Sequence, residues 1–280
     1  MAEARTLMVV GGGKMGEALV AGLIRTGWTS PEAMVVVEQY SARRGELANL
    51  HHGLRVAGTV AEASSREPIQ GAVVAVKPAD VREVCQALAT SGVPRVLSIA
   101  AGVTIDSLER WLAPESEPGP APAAVVRAMP NTPALVAAGA AAISPGTTAG
   151  SDDVAWARGI LEAVGTVVEL PEASMDAVTG LSGSGPAYVF LLAEALIDAG
   201  VLVGLTRPVA RDLAVQTLLG AARLLAETGD EPSNLRAAVT SPGGTTAAGV
   251  RALEAAGVRN AVLEAVVAAT ERSREMGRAT

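Results

Sequence analysis

Four apolar residues, Leu7-Met8-Val9-Val10, run straight into Gly11-Gly12-Gly13-Lys14-Met15-Gly16, after which Met15, Leu19, Gly22 and Leu23 recur at helical spacing. A strand, a glycine turn and a helix in that order leave few folds open. The glycines fit G-x-G-x-x-G, a weak pattern alone that gains meaning from this context. Gly11 permits the tight turn, Gly13 lets backbone approach a pyrophosphate, and Gly16 lets helix and strand pack closely. Phosphates would sit at the helix N-terminus, where free N–H groups and the helix dipole favour anions. Gly11, Gly12, Gly13, Lys14, Met15 and Gly16 are therefore candidate dinucleotide-binding residues.

The same grammar continues to about Pro171. Short β-branched runs at 7–10, 34–37, 71–76, 96–99, 125–128, 140–143 and 166–170 alternate with helical stretches. Runs with so few polar interruptions suit strands buried on both faces of a parallel sheet. The fold class is α/β, a Rossmann-type N-terminal domain over residues 1–171. Residues 115–124 read as a surface loop. After Pro171 the strands stop, and helices are expected from about Ser174, Pro186, Pro208, Ser233, Thr245 and Arg259, with Gly or Pro near their ends. Residues 172–280 thus form an all-α C-terminal domain. Within it, residues 186–203 carry only Glu194 and Asp198 as charges, on one narrow stripe. A helix so apolar must be buried nearly all round. A domain of this size cannot easily enclose it alone, so homodimerisation through the helical half is the economical expectation.

Composition excludes other classes. A net charge of -7 and 2% aromatic residues argue against a general nucleic-acid binder, and 49% hydrophobic against 18% charged residues argues against disorder. Neither the short N-terminal apolar run nor the proline- and glycine-broken residues 128–151 read as a signal or a membrane span. Cys85 is the single cysteine, expected to be a small buried hydrophobe, and a cytoplasmic address follows by default. No Cys/His/carboxylate cluster has metal-ligand spacing.

Glu38 ends the second strand, where an acid can bind the ribose 2′-hydroxyl of NAD and would repel a 2′-phosphate, whereas Arg43 and Arg44 could reach such a phosphate. These residues leave NAD and NADP both open. The chemistry is narrower. The chain has two lysines, Lys14 and Lys77, and two histidines, His51 and His52, expected on a surface turn. The helical half has no Lys and no His. Alcohol–carbonyl interconversion by hydride transfer usually needs such a proton donor. A protonated imine does not, and asks the protein only to position substrate and exclude water. Two small-residue loops stand out in the helical half, residues 182–187 with Ser182 and Ser184, and residues 241–246. The second offers backbone N–H groups from Gly243 and Gly244 onward and the hydroxyls of Thr245 and Thr246, which suits either a small carboxylate or a plain helix start.

The chain resembles pyrroline-5-carboxylate reductase from first strand to last helix. The resemblance rests on the glycine loop, Ala75-Val76-Lys77-Pro78, Ala100-Ala101-Gly102-Val103-Thr104, Met129-Pro130-Asn131-Thr132-Pro133, residues 180–188 (GLSGSGPAY) and residues 241–246. It implies reduction of 1-pyrroline-5-carboxylate to L-proline with NADPH or NADH. By resemblance the glycine loop and Ala75, Val76, Lys77 and Pro78 line the cofactor site. Ala100 and Ala101 lie near the nicotinamide, and Asn131 is counted with the cofactor residues. Ser182, Ser184, Gly243, Gly244, Thr245 and Thr246 fall to the substrate. Thr246, at the place of a threonine set against the ring nitrogen and carboxylate, is the catalytic candidate. Family members interlock their helical domains as dimers, and some assemble dimers into decamers. The chain departs where many members have Ser or Asn followed by Arg, since Glu38-Gln39 stands there, and at Val60, near which some have an asparagine. Another imine reductase, a hydroxyacid dehydrogenase of similar build or a non-enzymatic NAD(P) sensor are the alternatives.

Overall fold

The order of elements follows from the alternation of apolar runs and amphipathic stretches. In the computed structural model, which describes residues 6–65, 67–113 and 122–278, the chain runs β1 (Leu7–Val10), α1 (Lys14–Arg25), β2 (Met34–Val37), α2 (Ser41–Leu50), β3 (Arg55–Ala57) and α3 (Val60–Ser64). It continues through β4 (Gly71–Val74), α4 (Val81–Thr90), β5 (Arg95–Ser98), α5 (Ile105–Leu112) and β6 (Ala124–Met129). Then come β7 (Gly139–Pro145), α6 (Ser151–Glu162) and β8 (Gly165–Glu169). Of the loop expected at 115–124, residues 115–121 lie outside the described residues, and Ala124 already opens β6.

All eight strands join one sheet in the order β3-β2-β1-β4-β5-β6-β7-β8. Neighbours are parallel except β6 and β7. That exception has a local cause. The β6–β7 link is a 3-10 turn, Thr132–Val136, closed by Ala137 at φ 57°, and so short a link reverses the chain instead of crossing over. β3 is the strand no apolar run announced: three residues long with a half-buried Arg55, it owes its place to pairing with β2.

Side chains alternate across the sheet and fill two cores. Val9, Val36, Val73 and Leu97 pack with Leu19 and Leu23 of α1 and with Ile160 and Leu161 of α6. Val10, Val35, Val74 and Val96 face the other way, against Cys85 and Leu88 of α4 and Leu108 of α5.

The helical remainder comprises α7 (Met175–Val178), a π-helical turn (Thr179–Gly183), α8 (Gly185–Leu202), α9 (Arg207–Thr228), α10 (Pro232–Ala238), α11 (Thr245–Ala255) and α12 (Val258–Arg278). By compactness, residues up to Ser184 and those from Ala268 onward form one unit, and Gly185–Val267 a second. Residues 172–184 are tied to the sheet. The Glu172 carboxylate accepts from the Ile105 N–H at 2.7 Å and from the Arg127 guanidinium at 2.8 Å. Ser273, near the end of α12, donates its hydroxyl to Asp176 at 2.6 Å.

The second unit has almost no interior. Ala210 and Ala214 are its buried residues, while Phe190, Leu191 and Leu202 are 62%, 67% and 86% exposed. Its apolar helix α8, expected to be enclosed nearly all round, presents this surface unpartnered within one chain. Among the described residues Glu172–Leu202 is the one helical stretch long and apolar enough to cross a membrane, by length and composition alone.

Cys85 is fully buried in the α4 face, and desolvation pushes its thiol up to about 12. The folded protein should therefore not react with thiol reagents at pH 8, and should titrate one thiol in denaturant. Rapid modification of the native protein would contradict the packing of α4.

Candidate functional site

The strand order reverses between β1 and β4, because one half of the sheet grows outward from β1 and the other from β4. Loops leaving the carboxyl ends of β1 and β4 must diverge there, which opens a crevice. The candidate cofactor residues collect at this edge. Gly11 continues β1 and donates to Val37 O at 2.8 Å, Ala75 continues β4 and donates to Val10 O at 2.8 Å, and Ile99, leading to Ala100, donates to Val74 O at 3.1 Å. Val76 is half-buried, and Lys77 and Pro78 are exposed at the start of a 3-10 turn. Ala100 is buried, Ala101 half-buried, and Gly102 turns the chain at φ +75°, with Met276 of α12 beside it.

Backbone crowding fixes the glycine loop. Gly11 has φ +108°, and a Cβ there would lie 2.5 Å from Ala75 O; a Cβ on Gly16 would lie 2.0 Å from Gly11 O. Gly13 differs: no atom lies within 4 Å of its would-be Cβ, and its φ of -68° is ordinary. The loop tolerates a side chain at Gly13, and the space in front of it is open. Gly13 is also the N-cap of α1 and supplies no side-chain cap. Among the described contacts the N–H groups of Gly13, Lys14 and Met15 meet no protein acceptor. Open room beside unsatisfied donors and a helix dipole is what a pyrophosphate requires. The residues present fit a dinucleotide.

The charges singled out for cofactor choice do something else as well. Glu38 is buried, with Oε2 accepting from Gly12 N at 3.0 Å and Oε1 from Tyr40 N at 2.9 Å. Arg43 donates Nε to Gly12 O at 2.8 Å and pairs with Glu46 and Glu17, which together raise its pKa. One acid and one base thus grip the two polar groups of Gly12. Arg44 donates to the carbonyls of Glu38 and Gln39 at 2.9 and 2.8 Å. The roles of Arg43 and Glu17 were not legible in the sequence, since nothing in the spacing puts α2 against the glycine loop.

Asn131, just past β6, is buried and spends its amide on backbone, donating to Ser182 O at 3.0 Å and accepting from Ala140 N at 2.8 Å. Ser182 and Ser184 lie in and just after the π-helical turn, both half-buried. The Ser182 hydroxyl donates to Val178 O at 3.1 Å, and Ser184 N donates to Thr179 O at 2.8 Å.

The remaining candidates stand in the second unit, at the start of α11. Gly243 has φ +69°, and Gly244 N donates to Ser241 O at 3.1 Å to close a turn. Gly244 is the N-cap, without a side-chain cap, so the first-turn N–H groups from Thr245 on are left for another acceptor. Thr245 is exposed and Thr246 half-buried. Of the histidines, His52 is exposed on the turn after α2, and His51 is half-buried with Nε2 sheltered and unpartnered. Among the described residues no group of three His, Cys, Asp or Glu is placed to hold a metal ion.

The contrast between Gly13 and Gly16 is testable. Gly13→Val should fold normally and lose dinucleotide affinity at least a hundredfold by fluorescence titration, roughly 2.7 kcal/mol or more. Gly16→Ala should lower Tm, because the new methyl and Gly11 O cannot share their space. Normal affinity in Gly13→Val would dismiss the site.

Residues 172–276 match the family model described as pyrroline-5-carboxylate reductase dimerisation, and residues 6–102 match that of NADP oxidoreductase, coenzyme F420-dependent. The chain is 46% identical to the pyrroline-5-carboxylate reductase of Synechocystis sp. over 97% of this chain and 98% of that one. It is 42% identical to that of Methanosarcina acetivorans over 99% of both. Among solved structures, the pyrroline-5-carboxylate reductase of Coxiella burnetii superposes with a TM-score of 0.88 at 34% identity, covering 98% of this chain and 99% of that chain. The Plasmodium falciparum enzyme, solved with NADP bound, gives 0.83 at 30% identity over 98% of each. With likeness at this identity along nearly its whole length, and with a dinucleotide-ready loop in place, the chain belongs to the pyrroline-5-carboxylate reductase family.

Proposed function

We propose that this chain reduces 1-pyrroline-5-carboxylate to L-proline with NADPH, or NADH in its place, working as a cytoplasmic homodimer joined through its helical unit. The observation that carries the reading is the uncapped start of α1, open in front of Gly13 at the switch point of the sheet. Gly11, Gly12, Gly13, Lys14, Met15 and Gly16 hold the pyrophosphate, with Glu38 toward the adenosine ribose and Ala75, Val76, Lys77, Pro78, Ala100 and Ala101 along the remainder of the cofactor. When bound, the reduced dinucleotide supplies a hydride.

The substrate needs little acid–base help from the protein. Hydride adds to the carbon of the protonated C=N bond, the π pair moves onto nitrogen, and a secondary amine results. A helical half without Lys or His suits this chemistry. The first-turn N–H groups at Thr245 and Thr246 hold the carboxylate, with Gly243 and Gly244 giving close backbone approach. The Thr246 hydroxyl orients the ring nitrogen. Ser184 is the second hydroxyl on the substrate side, since Ser182 already donates to Val178 O.

A second copy is the partner that suits the helical unit. Phe190, Leu191, Leu192, Leu196 and Leu202 all exceed a third exposure in one chain, and fully burying such a side chain contributes about 1.5–3 kcal/mol. The charge of -7 gives a nucleic acid no purchase. The apolar helix within Glu172–Leu202, Gly185–Leu202, serves as an interface and not as a membrane span.

Thr246→Ala should lower kcat/KM for pyrroline-5-carboxylate by about ten- to a hundredfold, the loss of one oriented hydrogen bond with some misplacement. Dinucleotide affinity should hold, because those residues sit on the other unit. Unchanged kinetics would reduce Thr246 to a helix start. Leu192→Asp should abolish the dimer, read by light scattering as monomer or aggregate. A Leu192→Asp protein that remains a stable dimer would sink the interface.

A further inference from the structure

Two motifs of the chain lock onto one another, the Met129-Pro130-Asn131 segment after β6 and the π-helical turn Thr179–Gly183. In an α-helix the Ser182 carbonyl would accept from the N–H of residue 186, but residue 186 is proline and has none. The turn widens instead: Ser184 N reaches back to Thr179 O at 2.8 Å, a five-residue step. Asn131 Nδ2 supplies the missing donor to Ser182 O at 3.0 Å, while its Oδ1 takes Ala140 N of β7 at 2.8 Å. The two backbone partners, one acceptor and one donor, leave a single sense for the buried amide. On the same turn, a Cβ at Gly183 would lie 2.6 Å from Met129 Cε, so the segment touches the turn through packing as well as through the amide.

We propose that Asn131 is a positioning residue, whose side chain holds the π-helical turn in register on the sheet and thereby sets where Ser184 is presented to substrate. Its own amide is committed to the protein and does not bind dinucleotide. This rests on the placement of Ser184 on the substrate side, and it assigns to Asn131 a role that acts through another residue. A shift of the turn by a fraction of an ångström moves Ser184 and leaves the glycine loop, which shares none of these hydrogen bonds, in place.

The test is Asn131→Asp in the intact enzyme, a change that keeps the acceptor for Ala140 N and turns the donor into an oxygen facing Ser182 O. Amide hydrogen exchange over residues 183–188 should quicken at least about tenfold as the turn loosens. KM for pyrroline-5-carboxylate should rise about tenfold through misplacement, with dinucleotide Kd unchanged within about twofold. Gly183→Ala perturbs the same turn from the Met129 side, where the flexible end of the methionine can yield, and should move exchange and KM in the same direction. It decides the matter if Asn131→Asp does not fold. Weakened dinucleotide binding with unaltered exchange would overturn the proposal and return Asn131 to the cofactor site. Faster exchange with unchanged KM would overturn it too, by separating the turn from the substrate. A wild-type protein inactive on pyrroline-5-carboxylate would instead strike at the function proposed above, which the wild-type control reads independently.

Discussion

A side chain at Gly11 or Gly16 would stand inside the space of a neighbouring carbonyl, and that crowding sets the working edge of the sheet. The end of β1 touches the end of β4 through Gly11 and Ala75 O, and α1 folds back so closely that Gly16 meets Gly11 O. Backbones can approach this far only where Cβ is missing. The first turn of α1 is consequently aimed over the switch point, and its N–H groups are left for a ligand. The charged residues nearby serve this geometry: Glu38 and Arg43 hold Gly12 by its N–H and its carbonyl. Electrostatic features expected to choose a cofactor therefore also build the loop that receives it.

The second unit is governed by a different constraint. Its helices bury two alanines, Ala210 and Ala214, and leave leucines and a phenylalanine in contact with water. Chain entropy of about 1–2 kcal/mol per residue has to be offset by burial, and within one chain this unit supplies little. A unit so short of burial gains stability from whatever covers its apolar face. The match of residues 172–276 to a dimerisation model agrees with this physics.

Residues 172–184 are held both by the β-scaffold and by the end of α12. Glu172 bridges Arg127 and the N-terminus of α5, Asp176 takes the Ser273 hydroxyl, and Asn131 holds Ser182. The Arg127–Glu172 pair is well sheltered on the arginine side. Losing one partner of such a pair leaves a poorly solvated charge, a far larger cost than losing a surface ion pair. These ties anchor the turn that carries Ser184 to the same β-scaffold that carries the glycine loop.

The amino-acid sequence alone determined the α/β class, the glycine loop, the strands from β1 to β8 other than β3, and the starts of the long helices, because period and punctuation are local properties. The apolar run of α8 raised an expectation of burial that a single chain does not meet, since Phe190, Leu191 and Leu202 stand exposed. Tertiary structure decided the rest. β3 pairs because β2 offers an edge, despite its Arg55 and its three residues. β7 runs antiparallel because the Thr132–Val136 turn is too short to cross over. Arg43 reaches Gly12, and Asn131 reaches Ser182, across separations of 31 and 51 residues. Such hydrogen bonds leave no trace in periodicity, since the partner of a polar side chain is fixed by where the packed sheet delivers it and not by its neighbours in sequence.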